Sequence, residues 1–204
     1  GYLYKQESKE IMFLKKKIKT IIVPYLAFGL LSFVYWFLIE RNFREQNVNP
    51  LVPFCNLFIA QAGEYNFITN SALWFLPCLF CTEIIFDLLK RVLRKDNILF
   101  IGVLTICIIG CIYNELNLIS LPLELNTAFI AIGFYFCGYL WKNKAEDLFK
   151  LKIKKRWISV MLIIICLIMV VIISEINQGI YMYDEIYNNY FLPYIGGILG
   201  TFLV

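Results

Sequence analysis

The chain contains no histidine, and only 17% of its 204 residues are charged. The first absence excludes imidazole catalysis and imidazole metal sites built from these residues alone. The second is far from the balance of a soluble domain, where roughly one residue in four is charged. Other signatures are missing too. No glycine-rich phosphate loop, serine nucleophile elbow or internal repeat of about 20–50 residues occurs. The polar, basic stretch Gly1–Lys19 has neither the apolar core nor the small-residue cleavage site of a signal peptide. What is present is apolar: 60% hydrophobic residues, 17% aromatic and a mean hydropathy of +0.70. A soluble enzyme, a secreted disulfide scaffold, a disordered regulator and a nucleic-acid module are all excluded by this balance.

The apolar residues come in blocks that match a bilayer, where a crossing helix needs about 20 residues at about 1.5 Å rise each. Six runs qualify as spans: Thr20–Ile39, Trp74–Leu93, Ile98–Tyr113, Leu125–Leu140, Trp157–Ser174 and Tyr190–Val204. The third and fourth are short and need their flanks or a locally thin bilayer. Phe54–Ala62 is too short to cross and reads as interfacial or re-entrant. The expected fold is therefore all-α, a polytopic transmembrane helical bundle forming one domain over residues 1–204.

Charge orients the bundle. Of the 19 basic residues, all but Arg41 and Arg44 fall in three segments. These are the entry stretch (Lys5, Lys9, Lys15, Lys16, Lys17, Lys19), the turn Lys90–Lys95, and the loop Lys142–Arg156. Alternating spans put all three on one side, and the positive-inside rule makes that side cytoplasmic. The net charge of +4 is thus a topology signal, and no nucleic-acid partner is expected. Trp36, Trp74, Trp141 and Trp157 lie near span ends, where membrane anchoring accounts for most of them. Both ends read as cut: Gly1–Tyr4 resembles the end of a preceding helix, and the last run stops while still apolar.

Few residues carry chemistry. Lys15, Lys16, Lys17 and Lys19 precede Pro24-Tyr25 where a helix enters from the cytoplasm. Clustered ammonium groups there attract phosphates, of anionic lipid or of a phosphorylated cosubstrate; the plainer reading is a topogenic anchor. Glu83 and Asp87 share a helix face inside a span. Acids in spans face a bundle interior or a water-filled cavity, and Glu83, in mid-helix, is the candidate acid. Asp87 has Arg91 four residues on and is expected to pair with it. The seven cysteines include Cys78-x-x-Cys81 and Cys107-x-x-x-Cys111; without histidine they read as buried free thiols, and no metal is expected. Gly133, Gly138 and the Gly196–Gly200 small-xxx-small pair speak for close helix packing.

Several stretches together resemble one family. Gly1–Tyr4 followed by Phe13–Tyr25, FLKKKIKTIIVPY, resembles the junction after the second helix of acyltransferase family 3. These are bacterial integral-membrane O-acyltransferases, and the fucose 4-O-acetylase-like subgroup fits best. Ala72–Phe80, ALWFLPCLF, looks like the family's Leu-Trp-Phe-Leu helix start, and Asn126–Gly138, NTAFIAIGFYFCG, like its later aromatic-rich helix. Tyr190–Val204 resembles its late glycine-containing helix. The resemblance implies transfer of an acyl group, commonly acetyl, from cytoplasmic acyl-CoA to a hydroxyl of a cell-envelope glycan, with no bound cofactor. It implies that the family's essential histidine lies upstream of Gly1, and that residues 1–204 alone are inactive. It assigns the coenzyme's phosphates to Lys15, Lys16, Lys17 and Lys19. The family motif is usually arginine-rich, and lysine keeps the charge but not the bidentate fork.

Two rivals remain at this point. A transporter or flippase for a glycan or lipid-linked substrate would also explain the apolar core and use Glu83 as a proton or substrate site. It would be favoured by broken helices in matching halves, and none is apparent. A membrane glycan polymerase would carry a sizeable outward catalytic loop, and the longest outward stretch here, Glu40–Leu73, holds only Arg41 and Arg44 as basic residues.

Overall fold

The computed structural model describes residues 1–5, 7, 9–43, 48–61, 71–116, 118–142, 156–177, 180–182, 186–187 and 189–201. Helix dominates. α1 (Glu10–Lys17) continues through a π-helical turn (Ile18–Ile22) into α2 (Val23–Leu38). Then follow α3 (Leu51–Ile59), α4 (Phe75–Val92), α5 (Asp96–Glu115), α6 (Leu125–Leu140), α7 (Arg156–Asn177) and α8 (Leu192–Thr201). Between α7 and α8 lies an antiparallel pair, β1 (Ile180–Tyr181) and β2 (Ile186–Tyr187), in register Ile180↔Tyr187.

Among the described residues, four helical stretches are long and apolar enough to cross a membrane: Glu10–Asn42, Ser71–Val92, Asp96–Glu115 and Pro122–Leu140. The two spans that looked short acquire their missing flanks here, Asp96-Asn97 before one and Pro122–Glu124 before the other. The fifth expected span is helical as α7, whose described apolar part, Ile163–Asn177, is shorter. The last is helical only from Leu192, and residues 202–204 lie outside the described ones. So do residues 143–155, which hold most of the Lys142–Arg156 loop. Long rows of apolar side chains are exposed, for example Ile101, Ile108 and Ile112 on α5 and Ile164, Ile168 and Ile172 on α7. Such surface is what a bilayer covers.

The chain divides into two compact units, one of Lys5–Ile132, the other of Gly133–Val204 with Gly1–Tyr4. In the first, α3 runs back along α2: Phe54 meets Phe33 at 5.4 Å, and the Leu57 side chain presses on Gly29 so closely that no Cβ would fit. The expected short piece is thus a helix folded back on its predecessor, and Ala60 ends it in the left-handed region at φ 50°. α5 and α6 come together at Gly110, whose Cβ would lie 2.7 Å from that of Phe129.

In the second unit glycine seats both backbone and rings: a Cβ on Gly138 would stand 3.1 Å from the Tyr2 backbone nitrogen. The Tyr194 ring lies against Gly133 and, 4.3 Å away, stacks at a tilt on Phe134; Gly197 faces Phe134 in turn. The small-xxx-small expectation is corrected here. Among the described residues, a Cβ on Gly196 would reach only Ile173, at 3.6 Å, and one on Gly200 would meet nothing within 4 Å. Two further expectations change. Trp36 is fully buried, a core residue and not an interfacial anchor, whereas Trp157 is 83% exposed. Cys78 and Cys81 are buried, but Cys55 is exposed and the other four are intermediate.

Candidate functional site

The lysine row is sorted by helix register. Phe13, Ile21, Tyr25 and Gly29 are buried and Lys17 is half-buried, so a stripe at spacing four faces inward from 13 to 29. In an α-helix each step of four overshoots a full turn by about 40°, and such a stripe would wind off the buried face. The π turn prevents this by closing its hydrogen bonds one residue later, as where the Val23 N–H reaches the Ile18 carbonyl. Pro24 follows immediately in the first turn of α2, where its missing N–H is tolerated. Lys15, Lys16 and Lys19 fall off the stripe and are exposed. The Lys16 ammonium meets Glu7 at 2.7 Å, which holds the Glu7 carboxyl below its ordinary range. The Thr20 hydroxyl donates to the Lys16 carbonyl at 2.9 Å.

Opposite the stripe, α4 presents Glu83, Asp87 and Arg91, each four residues from the next. Lys17 Nζ lies 2.7 Å from Glu83 Oε2, with side-chain exposures of only 20% and 11%. The same ammonium sits 5.3 Å from the centre of the Phe13 ring. One turn further, Arg91 Nε donates to Asp87 Oδ2 at 2.6 Å, the pair its spacing predicts. Arg91 Nη2 also donates to the Glu7 backbone carbonyl at 3.0 Å. Lys17, Glu83, Asp87 and Arg91 therefore form a neutral quartet between the lysine helix and α4. Buried ions of this kind are tolerable only when paired, because removing either partner strands the other.

Glu83 and Lys17, singled out for different reasons, are thus brought together, while Lys15, Lys16 and Lys19 point elsewhere. Lys90 is bound to Asp96 at 2.8 Å, and Arg94 and Lys95 are exposed.

A second polar cluster escapes sequence reasoning. Glu124 is fully buried, with φ 54°, next to Leu123 at φ 59°. Its N–H donates to the Ala60 carbonyl at 3.1 Å, and its Oε2 accepts from the Thr127 hydroxyl at 3.0 Å. Tyr25, also buried, donates its hydroxyl proton to the Leu57 carbonyl at 2.7 Å. Left-handed non-glycine residues cost about 1–3 kcal/mol each and persist where the surroundings dictate them. Glu124 reads in sequence as the end of a loop, so its burial had no signal. Among the described residues, no three His, Cys, Asp or Glu side chains are grouped to hold a metal ion.

An apolar helical protein with membrane-length helices, a buried ion quartet and an exposed lysine row beside it defines a class, the polytopic membrane proteins that bring charge to a bundle interior. The chain belongs to acyltransferase family 3: the family model described as an acyltransferase domain matches residues 1–204. No curated protein and no solved structure matches it. Membership makes it, in general terms, a membrane acyltransferase.

Proposed function

We propose that the protein is an O-acyltransferase of the bacterial cytoplasmic membrane. It moves an acetyl or other acyl group from acyl-CoA to a hydroxyl of a cell-envelope glycan, with the basic segments Lys15–Lys19, Lys90–Lys95 and Lys142–Arg156 on the cytoplasmic side. The observation that carries this reading is the family membership over all 204 residues. In the reaction the thioester C–S bond breaks, an ester C–O bond forms, and the acceptor's hydroxyl proton ends on the coenzyme's sulfur. Such a step needs a base at the acceptor. These residues hold no histidine, and the resemblance assigns that role to one outside them. What they supply is the anion-binding side. Lys15 and Lys19 are exposed and Lys16 is held by a surface pair with Glu7, so these three are the lysines best disposed toward the coenzyme's phosphates.

The test is acetyl transfer from labelled acetyl-CoA to envelope glycan in membranes carrying the intact protein. Replacing Lys15 and Lys19 by Ala is expected to raise KM for acetyl-CoA about tenfold, with kcat little changed, as loss of a charged hydrogen bond would do. An unchanged KM would remove these lysines from the site. Glycan translocation without coenzyme-dependent labelling would favour the flippase instead.

A further inference from the structure

Resting on the acyltransferase reading, the geometry points to Glu83 as a positioning residue. It holds Lys17 inside the bundle and thereby sets which lysines of the row are presented to the cosubstrate. By charge alone the four lysines are equivalent. Register separates them, because Lys17 alone lies on the inward stripe with Phe13, Ile21, Tyr25 and Gly29. Its ammonium is met by Glu83 at 2.7 Å and by the Phe13 ring. A phosphate approaching Lys17 would have to displace a carboxylate anchored in the middle of α4, whereas at Lys16 it would displace the surface carboxylate of Glu7.

The neighbouring charges complete the device. Asp87 and Arg91, one and two turns further along α4, are matched to each other at 2.6 Å. Arg91 in turn grips the Glu7 carbonyl at 3.0 Å. The lysine helix is therefore fastened to α4 by Lys17 on Glu83, and the segment leading into it by the Glu7 carbonyl on Arg91. With the lead-in held at Glu7, the Lys17–Glu83 contact sets the rotation of α1 about its axis, and with it the direction of Lys15, Lys16 and Lys19. This gives Glu83 a geometric task in place of the acid–base role suggested by its mid-span position.

The intact protein in membranes, with acetyl-CoA as donor, provides the test. Glu83→Gln is expected to raise KM for acetyl-CoA about tenfold with a smaller fall in kcat, since a charged contact that orders the binding face is lost. Two rescues should bring KM most of the way back: the reversed pair, Lys17→Glu with Glu83→Lys, and the apolar pair, Lys17→Met with Glu83→Met. Exchanging a buried ion pair for packed apolar groups commonly preserves the fold. An acid acting on the acceptor predicts the contrary, with kcat collapsing in every variant that lacks Glu83 while KM holds. That result overturns the proposal. If the unaltered protein transfers no acetyl, the acyltransferase reading fails by itself, and thermal unfolding of purified protein judges the positioning. Glu83→Gln and Lys17→Gln should then each lower the midpoint, and the double substitution no further than the worse single one. Additive losses would show that Glu83 does not hold Lys17.

Discussion

From Lys5 to Ile132 the interior holds Thr82, Glu83, Asp87, Glu124, Asn126 and Thr127, whereas from Gly133 onward, with Gly1–Tyr4, the one buried polar side chain among the described residues is Asn177. The first unit joins helices by adding, to close fits at Gly29 and Gly110, ions and hydroxyls that each need a specific partner. The second joins them by shape, with Tyr194 on Gly133 and Phe134 facing Gly197, and with Tyr4 edge-on to Tyr135 and Tyr139 at 6.5 and 6.0 Å. Where most outward side chains are apolar, burial of apolar surface cannot by itself select a partner helix, because lipid offers the same contact. Selection has to come from polar pairing or from close fit. The unit that selects by polar pairing is also the one that carries the exposed lysines, where the proposed cosubstrate would be oriented.

The largest effect should come from stranding a charge in the first unit. Asp87 has a side-chain exposure of 4% and Arg91 of 15%, so Asp87→Ala leaves a guanidinium buried without its carboxylate. A loss of about 3–5 kcal/mol is expected, read as a fall in the unfolding midpoint of purified protein. A loss under about 1 kcal/mol, the worth of a surface pair, would mean that the polar interior does not hold this unit together.

In the second unit the effects should be smaller and of either sign, because shape alone decides them. A Cβ on Gly133 would stand 2.6 Å from Tyr194 Cε1, so Gly133→Ala forces the ring off Phe134. Overpacking of this sort costs about 1–3 kcal/mol, partly offset by alanine's better helix propensity, worth about 1 kcal/mol. Gly200 is also helical, and a Cβ there meets nothing within 4 Å among the described residues. Gly200→Ala should therefore stabilise by about 0.5–1 kcal/mol. The same measurement on both variants checks the claim, and equal signs would show that the ring-on-glycine contact is not holding these helices.

What the sequence disclosed follows the same division. The Asp87–Arg91 pair was legible because both partners lie on one helix at a spacing that forces them together. Most of the helices were legible because runs of apolar residues have the length of a bilayer. Which face of each helix turns inward was not, since lipid-facing and core-facing residues are both apolar and amphipathic periodicity fades. Trp36 shows the consequence: its position near a span end suggested an anchor, yet its ring is wholly enclosed. Lys17 shows another. Its place on the inward stripe goes with a π turn that shifts the register after it by about one residue, a backbone detail that four neighbouring lysines do not encode. Glu124 was hidden because its burial rests on left-handed backbone at Leu123 and Glu124, in residues that ordinarily avoid that region.

The smallest effect belongs to the charge pair with the most access to water, and it sharpens the contrast between buried and surface ions. Glu7 is held below its ordinary value of 4.5, first by the hydrogen bond from Lys16 and then by the charges of Lys16 and Lys5, with burial opposing. A carboxyl lowered in the folded state adds stability that is complete above its unfolded value and disappears as pH falls through the lowered one. The protein with Glu7 should thus lose slightly more of its unfolding midpoint than Glu7→Gln as the buffer is taken from neutral to well below that ordinary value. Raising the salt should shrink the difference, because exposed ions are screened. At neutral pH, where that contribution is complete, the two should still differ little, because an exposed ion pair adds little stability. A large neutral-pH loss in Glu7→Gln would mean that Lys16 is fastened as firmly as Lys17, and would remove it from the lysines proposed to receive the phosphate.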